Sequence, residues 1–371
     1  MTASDRSVSI LRPLIEFQDI CQIEPLCILI YNGNVTTGRR ERLKVLILGL
    51  SAALIAVIAL GVGRYYLSPL SIIKVLLQGL GLNMGMEKNP MAVVLHIRLP
   101  RILSSMLLGA GLALSGQTFQ MIFRNPLVSP DVLGTSSAAS FGASLSLLLG
   151  LSSVLVSINA FICGLVALFL IYTLASRTRR EQTLSLILVG MVVSSLFSAS
   201  TSFVKLVADP NNVLPAITYF LMGSLSGVGF EELGLIAVPL LVCFAVLLVL
   251  SWKINLLSLS EDEARSLGVN TRLIRLIAII CATVITASSV AIAGNIGWVG
   301  LIVPHISRMM VSNDARRSFP SSMFIGAGLL TLVDCVSRTA STVEIPIGIL
   351  TAFIGAPFFL FLLFREVRYD S

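Results

Sequence analysis

Long stretches without a charged residue dominate the pattern of polar and apolar positions. A helix needs roughly 20 mostly apolar residues to cross the hydrocarbon layer of a membrane, and each of these stretches has room for one or two such helices. They lie at 45–63, 102–123, 132–176, 182–204 and 276–307. The pattern therefore predicts an all-α, polytopic membrane protein.

The apolar runs divide into about ten transmembrane helices, one of them short. A break within 132–176 is indicated near Gly150. Within 276–307, glycines at 294, 297 and 300 followed by Pro304 argue against one continuous helix. The predicted spans cover about 45–63, 102–123, 135–150, 154–175, 183–204, 233–252, 276–294, 298–309, 319–334 and 346–364. A cytoplasmic tail, 1–44, would precede a single transmembrane domain, 45–367.

Composition supports membrane residence and predicts an orientation. Charged residues make up 12% of the chain, whereas soluble domains carry about 25%. With the N-terminus in the cytoplasm, most of the 26 lysines and arginines lie inside, as is usual for membrane proteins, and both termini are cytoplasmic. The net charge of +7 then reflects this loop bias and not nucleic-acid binding. The basic residues that would lie outside are Arg64, Lys74, Lys88, Arg98, Arg101, Lys205 and Arg338.

Groups for catalysis or proton transfer are scarce inside the predicted spans. The nearest exception is Asp334, and Arg338 lies four residues on, so that an ion pair within one helix explains it. No lysine is followed by Ser or Thr, as a P-loop for ATP requires. The two histidines and six cysteines show no metal-ligand spacing. The sequence predicts a protein that is not an enzyme, with no ATP site, cofactor or metal of its own.

One polar stretch, 253–275, interrupts the second half of the chain. Ser260 with Glu263 has the form of a helix capping box, and Gly268 stands where a short helix would stop. A docking segment for a nucleotide-hydrolysing partner and an ordinary solvated loop both fit this pattern.

Shorter patterns recur along the chain. Arg98-Leu-Pro-Arg101 opens the second span and Arg272-Leu-Ile-Arg275 the seventh, while Ala113–Gly116 matches Ala291–Gly294. Because these two spans enter from opposite sides, the match indicates a weak inverted repeat, as found in many transporters. Small residues at every fourth position predict close helix packing, at 109 and 113 and at 134, 138 and 142.

Several longer motifs follow one another over about 45–367. They are Arg98-Leu-Pro-Arg101, Gly109–Gly116, Phe123–Leu127 with Pro130 and Leu133-Gly134, Ala264–Gly268, Ala293–Arg308, Glu344–Gly348 and Gly355–Phe358. In this order they resemble the permease subunits of binding-protein-dependent ABC importers for iron chelates (siderophores), haem and cobalamin. The resemblance implies the type II importer permease fold and inward transport of an iron chelate, or of haem or cobalamin.

The resemblance also implies partners and a location. These are two copies of an ATP-binding subunit, a second permease chain that is either another copy or a paralogue, and an extracytoplasmic substrate-binding protein. The complex would lie among the lipids of a bacterial or archaeal cell membrane, the inner or plasma membrane, and would bind no nucleic acid.

Three groups of site residues follow from the resemblance. Docking of the binding protein, through arginine–carboxylate pairs, would use Arg98, Arg101 and Arg338. Coupling to the ATPase, within a loop over 254–270, would use Glu261, Ala264, Arg265, Leu267 and Gly268, with Ser260 where relatives often have Gly. The cytoplasmic gate would comprise Asn125, Leu127, Gln182 and Thr183.

Alternatives remain open for these assignments. Each arginine could instead reach along the membrane interface, Arg338 could serve only its pair with Asp334, and Asn125-Pro126 is also an ordinary helix stop. For the whole chain, the alternative is an ion-coupled secondary transporter that holds Na⁺ with carbonyl and hydroxyl groups. Such a carrier would have no need of the coupling loop.

Overall fold

The computed structural model describes residues 24–63, 68–79, 88–177, 182–257 and 261–367, and its regular structure is helical throughout these ranges. The helices are α1 (Glu24–Gly61), α2 (Pro69–Gly79), α3 (Lys88–Ala92), α4 (Leu99–Ile122), α5 (Thr135–Leu148), α6 (Ser153–Ser176), α7 (Gln182–Val207), α8 (Val213–Leu221), α9 (Phe230–Leu256), α10 (Glu261–Ser266), α11 (Thr271–Ala293), α12 (Val299–Met310), α13 (Ala315–Thr339) and α14 (Ile347–Val367). A π-helical turn, Val93–Arg98, joins α3 to α4, and a 3₁₀ turn, Pro130–Leu133, precedes α5.

The predicted polytopic all-α fold is confirmed. Within the described residues, seven helical segments are long and apolar enough to cross a membrane. Shorter helices supply the other predicted spans: α5, α12 and α14. The first span belongs to a helix that begins at Glu24, so the described part of the predicted tail, 24–44, continues directly into the membrane helix. Residues 1–23 lie outside the described residues.

The predicted break between the seventh and eighth spans lies at Gly294. This residue ends α11 with a φ of 66°, a backbone conformation that favours glycine. A Cβ at Gly294 would collide with the carbonyl group of Phe220, so packing requires glycine as well. The two copies of the weak repeat therefore differ in structure, because Gly116 lies inside α4 whereas Gly294 ends its helix.

Three helical segments extend beyond the predicted spans. The mixed region before the second span contains α2 and α3, and α8 follows α7 after the turn at 209–212. The Arg98-Leu-Pro-Arg101 motif does not precede the second helix but lies within a continuous helical run, Pro90–Ile122. Proline normally clashes with the preceding helical turn, and the π-helical turn ends just before Pro100.

Helix α4 is the centre of the bundle. It packs against α9, α11, α12 and α13, and most of its residues are buried. Glycines permit the closest contacts. A Cβ at Gly109 would overlap the carbonyl group of Gly326, as the four-residue spacing at 109 and 113 predicted, and a Cβ at Gly116, outside that spacing, would overlap the carbonyl group of Gly300. Backbone contacts of this kind fix α4 against α13 and α12 at once.

Helix α1 lies at the edge of the bundle against α13. The ring of Phe324 lies 3.3 Å from the position of a Cβ at Gly49, which marks the packed face of α1. The opposite face leaves Leu46 and Leu50 exposed. Such an apolar exposed face fits a helix that borders lipid.

Candidate functional site

A buried cluster of charges joins the ends of three helices. Nε of Arg101 on α4 donates to Oδ1 of Asp334 on α13 over 2.8 Å, and its Nη1 donates to Oε1 of Glu344 over 3.0 Å. Oδ2 of the same aspartate lies 3.1 Å from Nε of Arg338, one turn further along α13. Asp334 is completely buried. The ion pair of Asp334 with Arg338 confirms the i,i+4 pair predicted from the sequence.

Arg98 and Arg338, two of the three predicted docking arginines, also bind the last carbonyl groups of helix α1. Nη1 of Arg98 donates to the carbonyl oxygen of Leu60 over 2.7 Å, and Nη2 of Arg338 donates to that of Ala59 over 3.3 Å. The last carbonyl groups of a helix have no partner within the helix and carry partial negative charge, which guanidinium groups offset. These contacts give a structural reason for arginines at this end of the molecule.

The three predicted docking residues therefore lie close together, but as buried groups. Exposed fractions are 4% for Arg98, 6% for Arg101 and 7% for Arg338. Their guanidinium groups bind carboxylate and carbonyl oxygens of this chain, so docking of another protein through them stays a prediction. The roles of Glu344 and of the Arg101–Asp334 pair were missed, since they depend on residues far apart in sequence.

The predicted coupling segment forms a short helix with an exposed leucine. Helix α10, Glu261–Ser266, carries Ala264 and Arg265, and Gly268, whose φ is 74°, lies in the turn that stops it. The amide of Val269 donates to the carbonyl oxygen of Ala264 over 3.2 Å, which is the bond of a Schellman helix end. Ala264 is buried, whereas Leu267 is 56% exposed. The helix stop predicted at Gly268 is confirmed; Ser260 lies outside the described residues.

The predicted gate residues occupy two separate elements. Oδ1 of Asn125 accepts a hydrogen bond from the amide of Leu127 over 2.9 Å, and both residues are exposed in the turn after α4. Gln182 and Thr183 begin α7. The structure confirms a helix stop at Asn125-Pro126, while the gating role of all four residues stays a prediction.

Arg124 links the turn after α4 to the coupling region, a contact that sequence reasoning missed. Its Nε and Nη2 donate to the carbonyl oxygen of Leu257 over 3.0 and 2.8 Å. Leu257 caps the end of α9 just before the coupling segment. Arg124 has a positive φ of 50°, which is uncommon for a residue other than glycine and which no sequence pattern indicated.

Comparison with known proteins identifies the family. The model of the FecCD transport family matches residues 50–365. The chain belongs to the FecCD transport family. This match confirms the family indicated by the sequence motifs and covers nearly the whole of the described transmembrane region.

Individual relatives are similar over most of their length. The FecCD chain is 42% identical, over 87% of its residues and 96% of the relative, to the molybdate import system permease protein MolB of Haemophilus influenzae. It is 36% identical, over 90% of its residues and 98% of the relative, to the Fe(3+)-citrate import system permease protein YfmE of Bacillus subtilis.

A solved structure supports the fold directly. It is described as a metal-chelate type ABC transporter in an inward-facing conformation and shares 41% sequence identity and a TM-score of 0.78 with this FecCD chain. The match covers 86% of this chain and 98% of the other. Together with the family match, it argues against the ion-coupled secondary transporter considered above.

Proposed function

We propose that this FecCD chain is the permease subunit of an ATP-driven importer that receives its cargo from an extracytoplasmic binding protein. The observation that carries the proposal is the exposed Leu267 beside the buried Ala264 in a well-formed helix end. A solvated loop gains nothing from an exposed leucine, whereas burial of that side chain in a groove of a partner is favourable. A separate ATP-binding subunit, present in two copies, is the expected partner.

The contact of Arg124 with Leu257 supports transmission of movement from that partner. It connects the end of α9, next to the coupling helix, with the turn that carries Asn125 and Leu127. Displacement of the coupling segment would therefore pull on the proposed gate. Helix α4 packs tightly against α13 at Gly109 and against α12 at Gly116. A displacement of the turn after α4 would therefore move α4 as a whole relative to the bundle.

The opposite end offers the surface for the binding protein. Glu344 lies on the segment between α13 and α14 and retains 27% exposure of its side chain, so it covers Arg101 only in part. An incoming carboxylate could replace Glu344 as the partner of this guanidinium group. The proposed docking role of Arg101 thus requires an exchange of Glu344 for a carboxylate of the binding protein, and Arg98 and Arg338 would have to release backbone carbonyl groups of α1.

A second permease chain would cover apolar surface that this chain leaves exposed. Helix α14 presents Phe353, Phe361 and Phe364 with more than half of each side chain exposed. A pocket with a volume of about 650 Å³ adjoins this helix and is lined in part by Trp298 and Phe353. Whether another copy or a paralogue fills this position does not alter the proposal.

Two cargo classes are supported. An iron chelate, or related haem or cobalamin, agrees with the sequence motifs and with the name of the Bacillus relative. Molybdate is the second candidate, favoured by the 42% identity to the Haemophilus relative over 96% of its length. In both cases the cargo would reach the permease already bound to the binding protein.

The proposed location is the cell membrane with both termini in the cytoplasm. Basic residues of α1 and α13 support this orientation because the structure places them at one end of the molecule, where Arg317 forms an ion pair with Glu41. Lys44 at the same end donates to the carbonyl oxygen of Met310 over 2.7 Å.

Uptake experiments test the function and the cargo together. Cells with and without the chain, each containing its ATPase and binding protein, would be given radioactive iron as citrate or hydroxamate chelates, or radioactive molybdate. Uptake that needs the chain and an intact ATP site on the ATPase supports the importer, and the labelled compound identifies the cargo. Uptake driven by an ion gradient without the ATPase would overturn it.

A further inference from the structure

A basic pocket lies between the first and the penultimate membrane helices, at the end of the molecule remote from the buried charge cluster. It is lined by Arg42 and Val45 of α1, by Asp314 and by Arg316 and Arg317 of α13, and its volume is about 310 Å³. None of the docking, coupling or gate residues contributes to it.

Guanidinium groups outnumber carboxylates in this pocket. Oδ1 of Asp314 already accepts hydrogen bonds from Nδ2 of Asn255 over 2.5 Å and from the amide of Arg316 over 3.0 Å. Arg317 is held by Glu41. With Asp314 and Glu41 counted against the three arginines, the pocket keeps one net positive charge, and its two exposed guanidinium groups are those of Arg42 and Arg316.

Arg316 is held in place by an aromatic ring. The centre of its guanidinium group lies 5.7 Å from the ring centroid of Trp252 on α9. A cation above an indole ring loses less side-chain freedom when an anion arrives. Arg42 and Arg316 thus flank the pocket from two different helices, and Arg39 and Arg40 add further exposed positive charge nearby on α1.

The pocket continues into exposed apolar surface. Arg42, Leu46 and Leu50 are four residues apart on α1 and share one helix face. Leu46 is 59% and Leu50 is 62% exposed. A ligand with a negative headgroup and long apolar chains matches this arrangement in both of its parts, whereas a soluble anion or an acidic protein surface would leave the leucines uncovered.

We propose that this pocket binds the phosphate group of an anionic phospholipid, with Arg42 and Arg316 as phosphate ligands and the acyl chains along Leu46 and Leu50. Basic pockets between membrane helices are suited to such headgroups. The lipid would join α1 to α13, whose other ends meet through Arg338 and Ala59. The proposal depends on membrane residence and not on the cargo.

Native mass spectrometry of the purified full-length chain tests the site. Dioleoylphosphatidylglycerol, dioleoylphosphatidylcholine and inorganic phosphate would be titrated against the unaltered chain, Arg42→Gln, Arg316→Gln and the double variant. A basic residue near the surface contributes enough to change anionic-lipid affinity about fivefold, so the double variant should bind phosphatidylglycerol roughly 30-fold more weakly. Arg42→Lys with Arg316→Lys should retain most of the binding.

The matched control is the double variant Arg177→Gln with Arg272→Gln. Both residues are exposed at helix ends outside the pocket, and their loss removes the same charge, so phosphatidylglycerol binding should stay within twofold. Equal affinity for phosphatidylcholine, or equal losses in the control, would overturn the proposal. Binding of inorganic phosphate with the same dependence on Arg42 and Arg316 would also overturn it. Loss of ATPase co-purification in the pocket variants, without any change in lipid binding, would overturn it as well.

Discussion

Arg101 and Asp334 form an ion pair that joins two helices across 233 positions of sequence, with 2.8 Å between Nε and Oδ1. The aspartate also pairs with Arg338, which in turn donates to a carbonyl group at the end of α1. One buried carboxylate therefore holds α4, α13 and α1 in register. The helices on which docking and lipid binding are proposed share this point of attachment, and α4 leads from it to the turn with Asn125 and Leu127.

Replacement of Asp334 by Asn should destabilise the protein strongly. The substitution leaves two buried guanidinium groups without their shared carboxylate, and loss of one partner from a buried pair costs about 3–5 kcal/mol. Thermal unfolding of the purified chain in detergent would measure the effect. Glu344→Gln is the control and should cost less, because Asp334 still pairs with Arg101 and the glutamine oxygen can still accept a hydrogen bond from Nη1 of that arginine. Equal melting temperatures for the two variants would contradict the assigned role of Asp334.

Glu344→Gln should strengthen docking of the binding protein. The glutamate competes for Arg101, so loss of its charge leaves a weaker internal partner for an incoming carboxylate to displace, and the affinity for the binding protein should rise severalfold. Surface plasmon resonance between the complex in nanodiscs and its binding protein would measure this. Glu231→Gln, a change at an exposed carboxylate at the start of α9, should leave the affinity unchanged. Weaker docking in Glu344→Gln would show that a carboxylate of the binding protein does not replace Glu344 as the partner of Arg101.

The fold could be read from the sequence because helix length and apolar runs are local properties. Breaks such as Gly294 were visible for the same reason, since glycine and proline act on the backbone where they stand. The helix stop at Gly268 and the pair of Asp334 with Arg338 likewise depend on residues within one or two turns.

Contacts between distant segments could not be read in this way. Nothing near Arg101 in the sequence indicates Asp334 or Glu344, and Arg124 gave no sign of its bond to Leu257. The sequence placed the three arginines on the outer side of the membrane without indicating their burial, and helix α1 ends against Arg98 and Arg338, both of which are buried. Burial is a property of the assembled bundle, so a charge pattern alone could not supply it.

Leu267→Glu should weaken the association with the ATP-binding subunit and leave the fold intact. The side chain is 56% exposed in the isolated chain, and burial of a leucine contributes about 1.5–3 kcal/mol, so affinity should fall at least tenfold. Co-purification of the ATPase and ATP-dependent uptake would both report the loss. The control is Leu149→Glu, at the far end of α5 and 65% exposed. Undiminished co-purification of the ATPase with the Leu267→Glu chain would contradict the coupling role proposed for Leu267.

Gly116→Ala should destabilise the bundle, whereas Gly234→Ala should not. A Cβ at Gly116 would overlap the carbonyl group of Gly300, and both backbones are held within packed helices, so the cost should be about 1–3 kcal/mol. Gly234 lies in α9 with nothing within 4 Å of its Cβ position. Alanine there restricts only the unfolded chain and should add about 0.4–1 kcal/mol of stability.

The two variants add the same methyl group, each within a helix, so intrinsic helix propensity favours alanine equally in both. A difference of sign between their shifts in melting temperature therefore isolates the contact between α4 and α12. If that contact also carries movement from the coupling segment, Gly116→Ala should lower uptake more than it lowers the amount of folded complex. Stabilisation by both substitutions would mean that α4 and α12 separate readily. The rigid contact of Gly116 with Gly300, proposed to transmit movement from the coupling segment, would then not exist.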